Sequence, residues 1–211
     1  MNSIELAWDA FTQEEYGKAE ILFDRLLAEE ESRELTRQAQ FGLGYVYAFT
    51  NRFQQAQMLF EELREDAKKR GAWREEHRAL HQVGMVQRMA GEWEQAQLTF
   101  AEEADLIRQS GRPHLEMAVN AYEQGIVALH LNDDETAHQW LQISLEEAKQ
   151  TDDRVAVGCA YRGLGDFLEK KGRIDEAIQA WHSAIQGFAD ANEVKAVTEV
   201  QERLARQSAA K

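Results

Sequence analysis

An alanine followed one helical turn later by a large apolar residue recurs five times along the chain. Residues three or four apart lie on the same face of an α-helix, so each pair indicates a helix with one apolar face. The alanines are 37, 40, 41 and 40 residues apart. The five segments are YGKAEILF (16–23), FQQAQMLF (53–60), WEQAQLTF (93–100), DETAHQWL (134–141) and IDEAIQAW (174–181). A fixed period of about 40 residues predicts an array of helical repeats.

A second column of small residues stands twelve positions before these alanines and comprises Ala7, Gly44, Gly84, Gly125 and Gly165. Glycine inside a helix costs about 1 kcal/mol relative to alanine, so four glycines in one column need a packing reason. Two helices approach each other closely where small residues line the contact between them. We therefore predict that each repeat is a hairpin, in which the small residue of the first helix packs against the alanine of the second.

A third column lies five residues before the alanine and contains Asn51, Gly91, Asn132 and Gly172. Glycine and asparagine tolerate the left-handed backbone that ends a helix, so this column predicts the turn between the two helices. Glu14 stands in the column in the first repeat, and we expect the first hairpin to turn differently. Thr12 and Glu15 have the T-x-x-E spacing of a capping box, which would open the second helix.

The pattern predicts an all-α chain in a single domain that spans residues 1–211. Five hairpins are expected at about 3–30, 34–69, 73–109, 114–150 and 153–189, followed by a last helix at about 193–207. That helix has a charged face opposite an apolar stripe of Val194, Val197, Val200 and Leu204. We expect it to cap the array, because the last hairpin would otherwise expose its stacking surface.

These columns resemble the tetratricopeptide repeat (TPR), whose consensus has Leu-Gly and Tyr in the first helix and Ala and Phe in the second. Leu43-Gly44 with Tyr47 matches the consensus well, as does Leu164-Gly165, whereas Gln124-Gly125 is the weakest match. The period exceeds the usual 34 residues, so the chain is similar to the longer-repeat variety found in kinesin light chains, the maltose-activator sensor and Rap-type regulators. The resemblance implies a right-handed α-α superhelix, with the first helices lining its concave face.

Composition and charge narrow the classes of partner. The chain has 38 acidic and 24 basic side chains, a formal net charge of −14. Such a field repels phosphate backbones and anionic lipid head groups, so we expect neither nucleic acid nor a membrane as a partner. The N-terminus lacks the basic start and apolar run of a signal peptide. The single cysteine, Cys159, excludes an internal disulfide and fits a reducing compartment. We expect a cytoplasmic protein.

The candidate binding residues are those side chains of the first helices that the hairpins do not use for packing. Aromatic rings and arginine supply most of the binding energy of interfaces, and methionine adapts to irregular ligands. The set comprises Gln38, Tyr45, Arg78, His81, Gln82, Met85, Tyr122, Glu123, Arg162 and Asp166. The same faces carry Phe41, Phe49, Met89 and Ile126, which we assign to the core, because apolar stripes at helical spacing are usually packing.

Sequence patterns of catalysis are absent. His77 and His81 could hold Zn²⁺ on one helical face, but two nitrogens make a poor site, and the nearby glutamates do not fit H-E-x-x-H. The aspartate pairs at 133–134 and 152–153 fall at predicted turns, where they would cap helices. We therefore expect a non-enzymatic protein with no metal and no cofactor.

The resemblance alone does not name a ligand. Chaperone-binding members of the family hold a C-terminal carboxylate with Lys, Arg and Asn on the inner helices, whereas the matching positions here are Gln38, Gly42, Arg78, Gln82 and Glu123. We predict a scaffold that binds a protein or a peptide on the concave face. The alternative is a self-assembly module that forms a homodimer through its ends or its convex aromatic residues. Trp8, Trp73 and Trp140 fall outside the recurring columns, and an exposed tryptophan often marks an interface.

Overall fold

The protein is represented by a computed structural model that describes residues 3–29, 32–111 and 113–209, with side chains described as far as residue 207. The described residues form eleven α-helices and no strand. The helices are α1 (Ser3–Thr12), α2 (Tyr16–Glu29), α3 (Arg33–Phe49), α4 (Phe53–Lys69), α5 (Trp73–Ala90), α6 (Trp93–Gln109), α7 (His114–His130), α8 (Asp134–Ala148), α9 (Arg154–Lys170), α10 (Ile174–Asp190) and α11 (Val194–Ala209). The ends of these helices lie within about three residues of the sequence-based bounds. Residue 30, the expected end of the first hairpin, lies outside the described residues.

Each first helix ends in the same kind of turn, at a residue with positive φ. These residues are Glu14 (62°), Asn51 (60°), Gly91 (78°), Asn132 (61°) and Gly172 (71°). The next residue then donates its amide to a carbonyl five positions back, as Arg52 N–H does to the Tyr47 carbonyl at 2.8 Å. This bond satisfies a carbonyl that the end of the helix would otherwise leave without a partner.

The expectation of a different first turn is wrong. Glu14 adopts the left-handed conformation, and the Glu15 amide donates to the Ala10 carbonyl at 2.9 Å, as in the other turns. The predicted capping box does not form, because Thr12 is the last residue of α1 and its hydroxyl donates to the Asp9 carbonyl at 2.9 Å. The Glu15 carboxylate accepts a bond from Lys18 instead. The packing of the two helices therefore overrides the unfavourable backbone preference of a glutamate.

The chain divides into two compact units, Met1–Thr99 and Phe100–Lys211, with the boundary inside α6. The expectation of a single domain over residues 1–211 stays a prediction. None of the described helices is both long enough and apolar enough to cross a bilayer.

In the N-terminal unit, Gly44 of the glycine column packs against a large ring. Phe60 of α4 is fully buried, and a Cβ on Gly44 of α3 would lie less than 3.0 Å from its ring. Phe23 of α2 lies similarly close to Gly42, which is two residues before the column, in the first helix of the next hairpin. The small residue was predicted to pack against the alanine, but its nearest neighbour is the aromatic residue one turn after that alanine. The ring therefore fills the space that a side chain at the glycine position would otherwise take.

The C-terminal unit repeats this packing. Leu141 lies over Gly125, and Trp181 lies over Gly165. Asp133 and Asp153 accept bonds from the Thr136 and Ala156 amides at 3.1 and 2.8 Å, which confirms their predicted capping role.

The last helix, α11, packs like a further first helix. Its Leu204-Ala205 stands 40 residues after Leu164-Gly165, and Val200 is fully buried in a cluster with Trp181. Val197 and Leu204 pack against the same cluster. Val194 was predicted to belong to this apolar stripe, but it is 74% exposed and lies outside the contact.

Candidate functional site

The described part of the N-terminal unit contains a groove between its first helices. A cavity of about 220 Å³ is lined by Trp8 of α1, by Glu34, Arg37, Gln38 and Phe41 of α3, and by Glu75 and Arg78 of α5. The α3 residues recur at helical spacing, so one face of that helix forms the floor. We call this cavity the inner groove.

Arg78 is the cation of the inner groove that forms no ion pair with a carboxylate of the described residues. Its guanidinium lies 4.6 Å from the centre of the Phe41 ring, and the residue as a whole is exposed. Among the described residues, no carboxylate lies within ion-pair distance of it. A guanidinium stacked on a ring keeps its N–H groups directed outward, where they can bind a planar anion in a bidentate manner.

The two acidic residues of the groove are already neutralised. Arg37 forms an ion pair with Glu34 and lies 3.3 Å from the Glu75 carboxylate. Glu75 also pairs with Arg70. Hydrogen bonds from Gln38 and Arg37 hold the pKa of Glu34 below its ordinary value. The groove therefore has two glutamates and two arginines. Arg37 forms ion pairs with both glutamates, whereas Arg78 forms no ion pair among the described residues and acts on Glu34 only through its charge.

Five aromatic rings form a continuous cluster that meets the inner groove at Trp8. Trp8 lies 5.8 Å from Phe11 and 6.0 Å from Tyr45, measured between ring centroids. Phe49 lies 5.5 Å from Phe11 and stacks on Tyr16 at 6.0 Å. We call this set the aromatic ladder. Its Phe49 ring is 52% exposed, so the ladder presents apolar surface to the solvent.

Three expectations about aromatic and apolar residues are corrected by this arrangement. Trp8 is half-buried within the aromatic ladder, and Trp73 and Trp140 are half-buried as well, so none of the three is the exposed tryptophan that was expected. Phe49 and Met89 were assigned to the core but are 52% and 38% exposed. The assignment of Phe41 and Ile126 to the core is confirmed, at 6% and 8% exposure.

The predicted site residues of the N-terminal unit have different environments. Gln38 and Arg78 line the inner groove. Tyr45 lies beneath it between Trp8 and Phe60, and burial raises the pKa of its hydroxyl while Arg78 opposes the rise. Three further predicted residues, His81, Gln82 and Met85, are half-buried along α5 and do not line the groove. The inner groove thus includes two of these six predicted residues.

In the C-terminal unit, Arg162 is bonded within the chain. Its guanidinium donates to the Tyr122 hydroxyl at 2.8 Å and lies 3.3 Å from the Glu199 carboxylate of α11. Burial raises the pKa of Tyr122 to about 12. Burial alone would lower the pKa of Arg162, but Tyr122, Cys159 and Glu199 more than offset it, so the pKa lies above its ordinary value.

Asp166 is engaged in the same way. Its carboxylate accepts bonds from the Trp181 indole at 2.9 Å and from Arg203 of α11 at 2.9 Å. Glu123, the remaining predicted residue of this unit, is 5% exposed. Helix α11 therefore forms hydrogen bonds and an ion pair with Arg162 and Asp166 of α9, which the sequence analysis assigned to a binding face. That these two residues bind a partner stays a prediction.

The other chemically suggestive residues have ordinary surroundings. Cys159 is a half-buried free thiol, and burial raises its pKa, so it stays protonated at neutral pH. Within the described ranges, no three His, Cys, Asp or Glu side chains are grouped so that they could hold a metal ion.

Two groove residues that were not among the predicted binding residues, Trp8 and Phe41, could have been recognised from the sequence. Trp8 follows Ala7 as Tyr45 follows Gly44, so it belongs to the same repeat position as a residue that was selected. Phe41 was recognised on the correct face but assigned entirely to the core. Arg37 and Glu75 had no such signal, because their pairing depends on how α3 and α5 meet.

No family model matches the sequence, and no curated protein matches it. Solved structures do match the fold. The first is BtubC from P. vanneervenii, with a TM-score of 0.69 at 16% identity over 89% of this chain and 78% of that one. The Rap protein complexed with Competence and Sporulation Factor gives 0.79 at 15% identity, over 94% of this chain and 56% of that one. The TPR-like repeats of a putative kinesin light chain from Podosopora anserina give 0.65 at 14% identity, over 90% and 95%.

The chain therefore has an all-α helical-repeat fold similar to that of TPR-like structures, as the sequence predicted. Identities of this size show the fold alone. The chain spans about half the length of the Rap protein that it matches, so the activity of that whole protein does not transfer with the fold.

Proposed function

We propose that the protein is a non-catalytic scaffold that binds another protein or a peptide segment in the inner groove of its N-terminal unit. The observation that carries this proposal is Arg78, a guanidinium that is stacked on Phe41 at the groove and has no carboxylate partner among the described residues. The Rap structure, solved as a complex with Competence and Sporulation Factor, supports a protein or peptide as the class of ligand for this fold.

The groove suits a segment that has both an acidic and an apolar side chain. A carboxylate of the ligand would pair with Arg78 in a bidentate manner. An apolar side chain would pack on Trp8 and continue along the aromatic ladder to the exposed ring of Phe49. Aromatic residues and arginine are the residue types that most often dominate binding energy.

The groove is a stronger candidate than the corresponding face of the C-terminal unit. There, Glu199 and Arg203 of α11 already bond to Arg162 and Asp166 of α9. A ligand at those positions would first have to displace a helix of the chain itself. The N-terminal groove requires no such displacement, so binding there costs less free energy.

The competing proposal is self-assembly into a homodimer. Size-exclusion chromatography with light scattering distinguishes the two, because the scaffold proposal expects a monomer across micromolar concentrations. A stable dimer that Arg78→Glu leaves intact, with no other partner recovered, would favour self-assembly.

The direct test is affinity capture from the native lysate, followed by calorimetry with the purified partner. Arg78→Glu reverses the charge in the groove, and we expect it to weaken binding by at least about tenfold, or about 1.4 kcal/mol. Arg74→Glu is the matched control, because Arg74 is an exposed arginine of the same helix that does not line the groove. Equal affinities of the wild type and the Arg78 variant would overturn the assignment of the groove.

A further inference from the structure

The second helices of the N-terminal unit carry a row of exposed apolar side chains. Ile21, Met58 and Leu98 each stand two residues after the buried alanine of α2, α4 and α6. They are 63%, 59% and 72% exposed. A single exposed apolar residue is ordinary on a protein surface. Three at the same position of successive repeats form a pattern, which we call the outer row.

The repeat itself does not require an apolar residue at this position. In the C-terminal unit the equivalent residues of α8 and α10 are Gln139 and Gln179, and both are exposed. Glutamine forms helices about as well as methionine and leucine do. Neither the core nor helix propensity therefore explains the apolar residues of the outer row, which remain available for an intermolecular contact.

Carboxylates surround the part of the outer row on α4 and α6. Glu61 and Glu62 follow Met58 by about one helical turn and, with Gln54 and Gln57, line a shallow hollow beside it. Arg64 lies 3.5 Å from Glu61, whereas the exposed Glu62 forms no ion pair with any described residue.

The charges beside Leu98 and Ile21 differ from each other. Exposed Glu94 precedes Leu98 by one turn. The lysine nearest Ile21 in the sequence, Lys18, is paired with Glu15 at 2.6 Å, and Arg25 is the remaining cation within a turn of Ile21. Apolar contact with negative charge beside it is thus concentrated around Met58 and Leu98.

We propose that the outer row docks a cationic amphipathic segment of a partner protein. Its apolar side chains pack on Ile21, Met58 and Leu98, and its Lys or Arg side chains face Glu62 and Glu94. A second copy of the chain is disfavoured as the occupant, because two molecules of net charge −14 repel each other. This surface lies on α2, α4 and α6, whereas the inner groove lies on α1, α3 and α5, so the two can act independently.

The probe is a fluorescein-labelled 14-residue peptide of leucine and lysine with helical periodicity, and its twin has glutamate in place of lysine. Fluorescence anisotropy measures both against the wild type and the triple variant Ile21→Gln, Met58→Gln, Leu98→Gln. Glutamine is the residue that the chain itself carries at this position, so the variant should fold. We expect the lysine peptide to bind the wild type, to bind the triple variant about tenfold more weakly, and to dissociate as salt screens the carboxylates.

The measurement has a check of folding and a control variant. Circular dichroism and the unfolding midpoint verify that the triple variant is folded, and Leu98→Gln alone replaces it if it is not. Arg78→Glu must not weaken binding of the lysine peptide, since the inner groove is a separate surface. The proposal is overturned if the lysine peptide fails to bind, if it binds the triple variant equally well, or if the glutamate peptide binds as tightly. A dimer that the triple variant dissociates would also overturn it, in favour of a second copy.

Discussion

Gly44→Ala sets two effects of opposite sign against each other in the middle of α3. Replacing a glycine inside a helix by alanine stabilises the helix by about 1 kcal/mol, because alanine loses less backbone entropy on folding. The added Cβ, however, would lie less than 3.0 Å from the Phe60 ring, closer than real Cβ contacts come. The outcome therefore depends on whether the ring can move.

The surroundings of the ring indicate that it cannot. Phe60 is fully buried, with Phe41 and Tyr45 at centroid distances of 5.8 and 5.6 Å. Overpacking of a core without room to adjust costs about 1–3 kcal/mol, and we place this site near the upper end. After the gain in helix propensity, the net loss of unfolding free energy is about 2 kcal/mol. For a chain of this size that lowers the melting temperature by about 4–8 °C.

Guanidinium denaturation followed by circular dichroism measures the loss. Gly17→Ala in α2 is the matched control, because a Cβ at that position meets nothing within 4 Å. The control should be neutral or slightly stabilising. Adding Phe60→Leu to Gly44→Ala should recover part of the loss, so that a double-mutant cycle shows a coupling of about 1 kcal/mol. A Gly44→Ala variant that is more stable than the wild type would refute the packing argument, because helix propensity would then be the larger effect.

Three further outcomes are expected. Glu14→Gly should stabilise the protein by about 0.5 kcal/mol in a thermal melt, because glycine adopts the positive φ of 62° without strain; unchanged or lower stability would contradict this. The hydrogen bonds from Arg52 hold the pKa of Glu20 below its ordinary value of 4.5, so the native state binds fewer protons than the unfolded state. Stability should therefore fall as the pH drops below about 4.5, and less steeply in Glu20→Gln, as acid titration of the melting temperature would test. Iodoacetamide should alkylate Cys159 slowly at pH 7.5 and faster in denaturant, since burial raises the pKa of the thiol; equal rates would disprove the protection.

The candidate site was predictable in part, and the reason lies in the repeat. Gln38 and Arg78 occupy the same repeat position six residues before Gly44 and Gly84, so choosing one face of each first helix found both. The same logic selected Arg162 and Asp166, but no local pattern shows that α11 bonds to these side chains across about 37 residues. Ion pairs between two helices depend on how closely and at what angle the helices pack. The repeat pattern of the sequence does not give this information.

The sequence by itself determined the helices, their hairpin pairing and the repeat columns, because helical periodicity and small residues act over a few turns. Only the tertiary structure decided which of those columns are available for binding. Arg37 forms ion pairs with Glu34 and Glu75, while Arg78 forms none with the described residues. Tertiary packing also imposes the left-handed backbone conformation of Glu14. The packing of α1 against α2 outweighs the preference of a glutamate for negative φ.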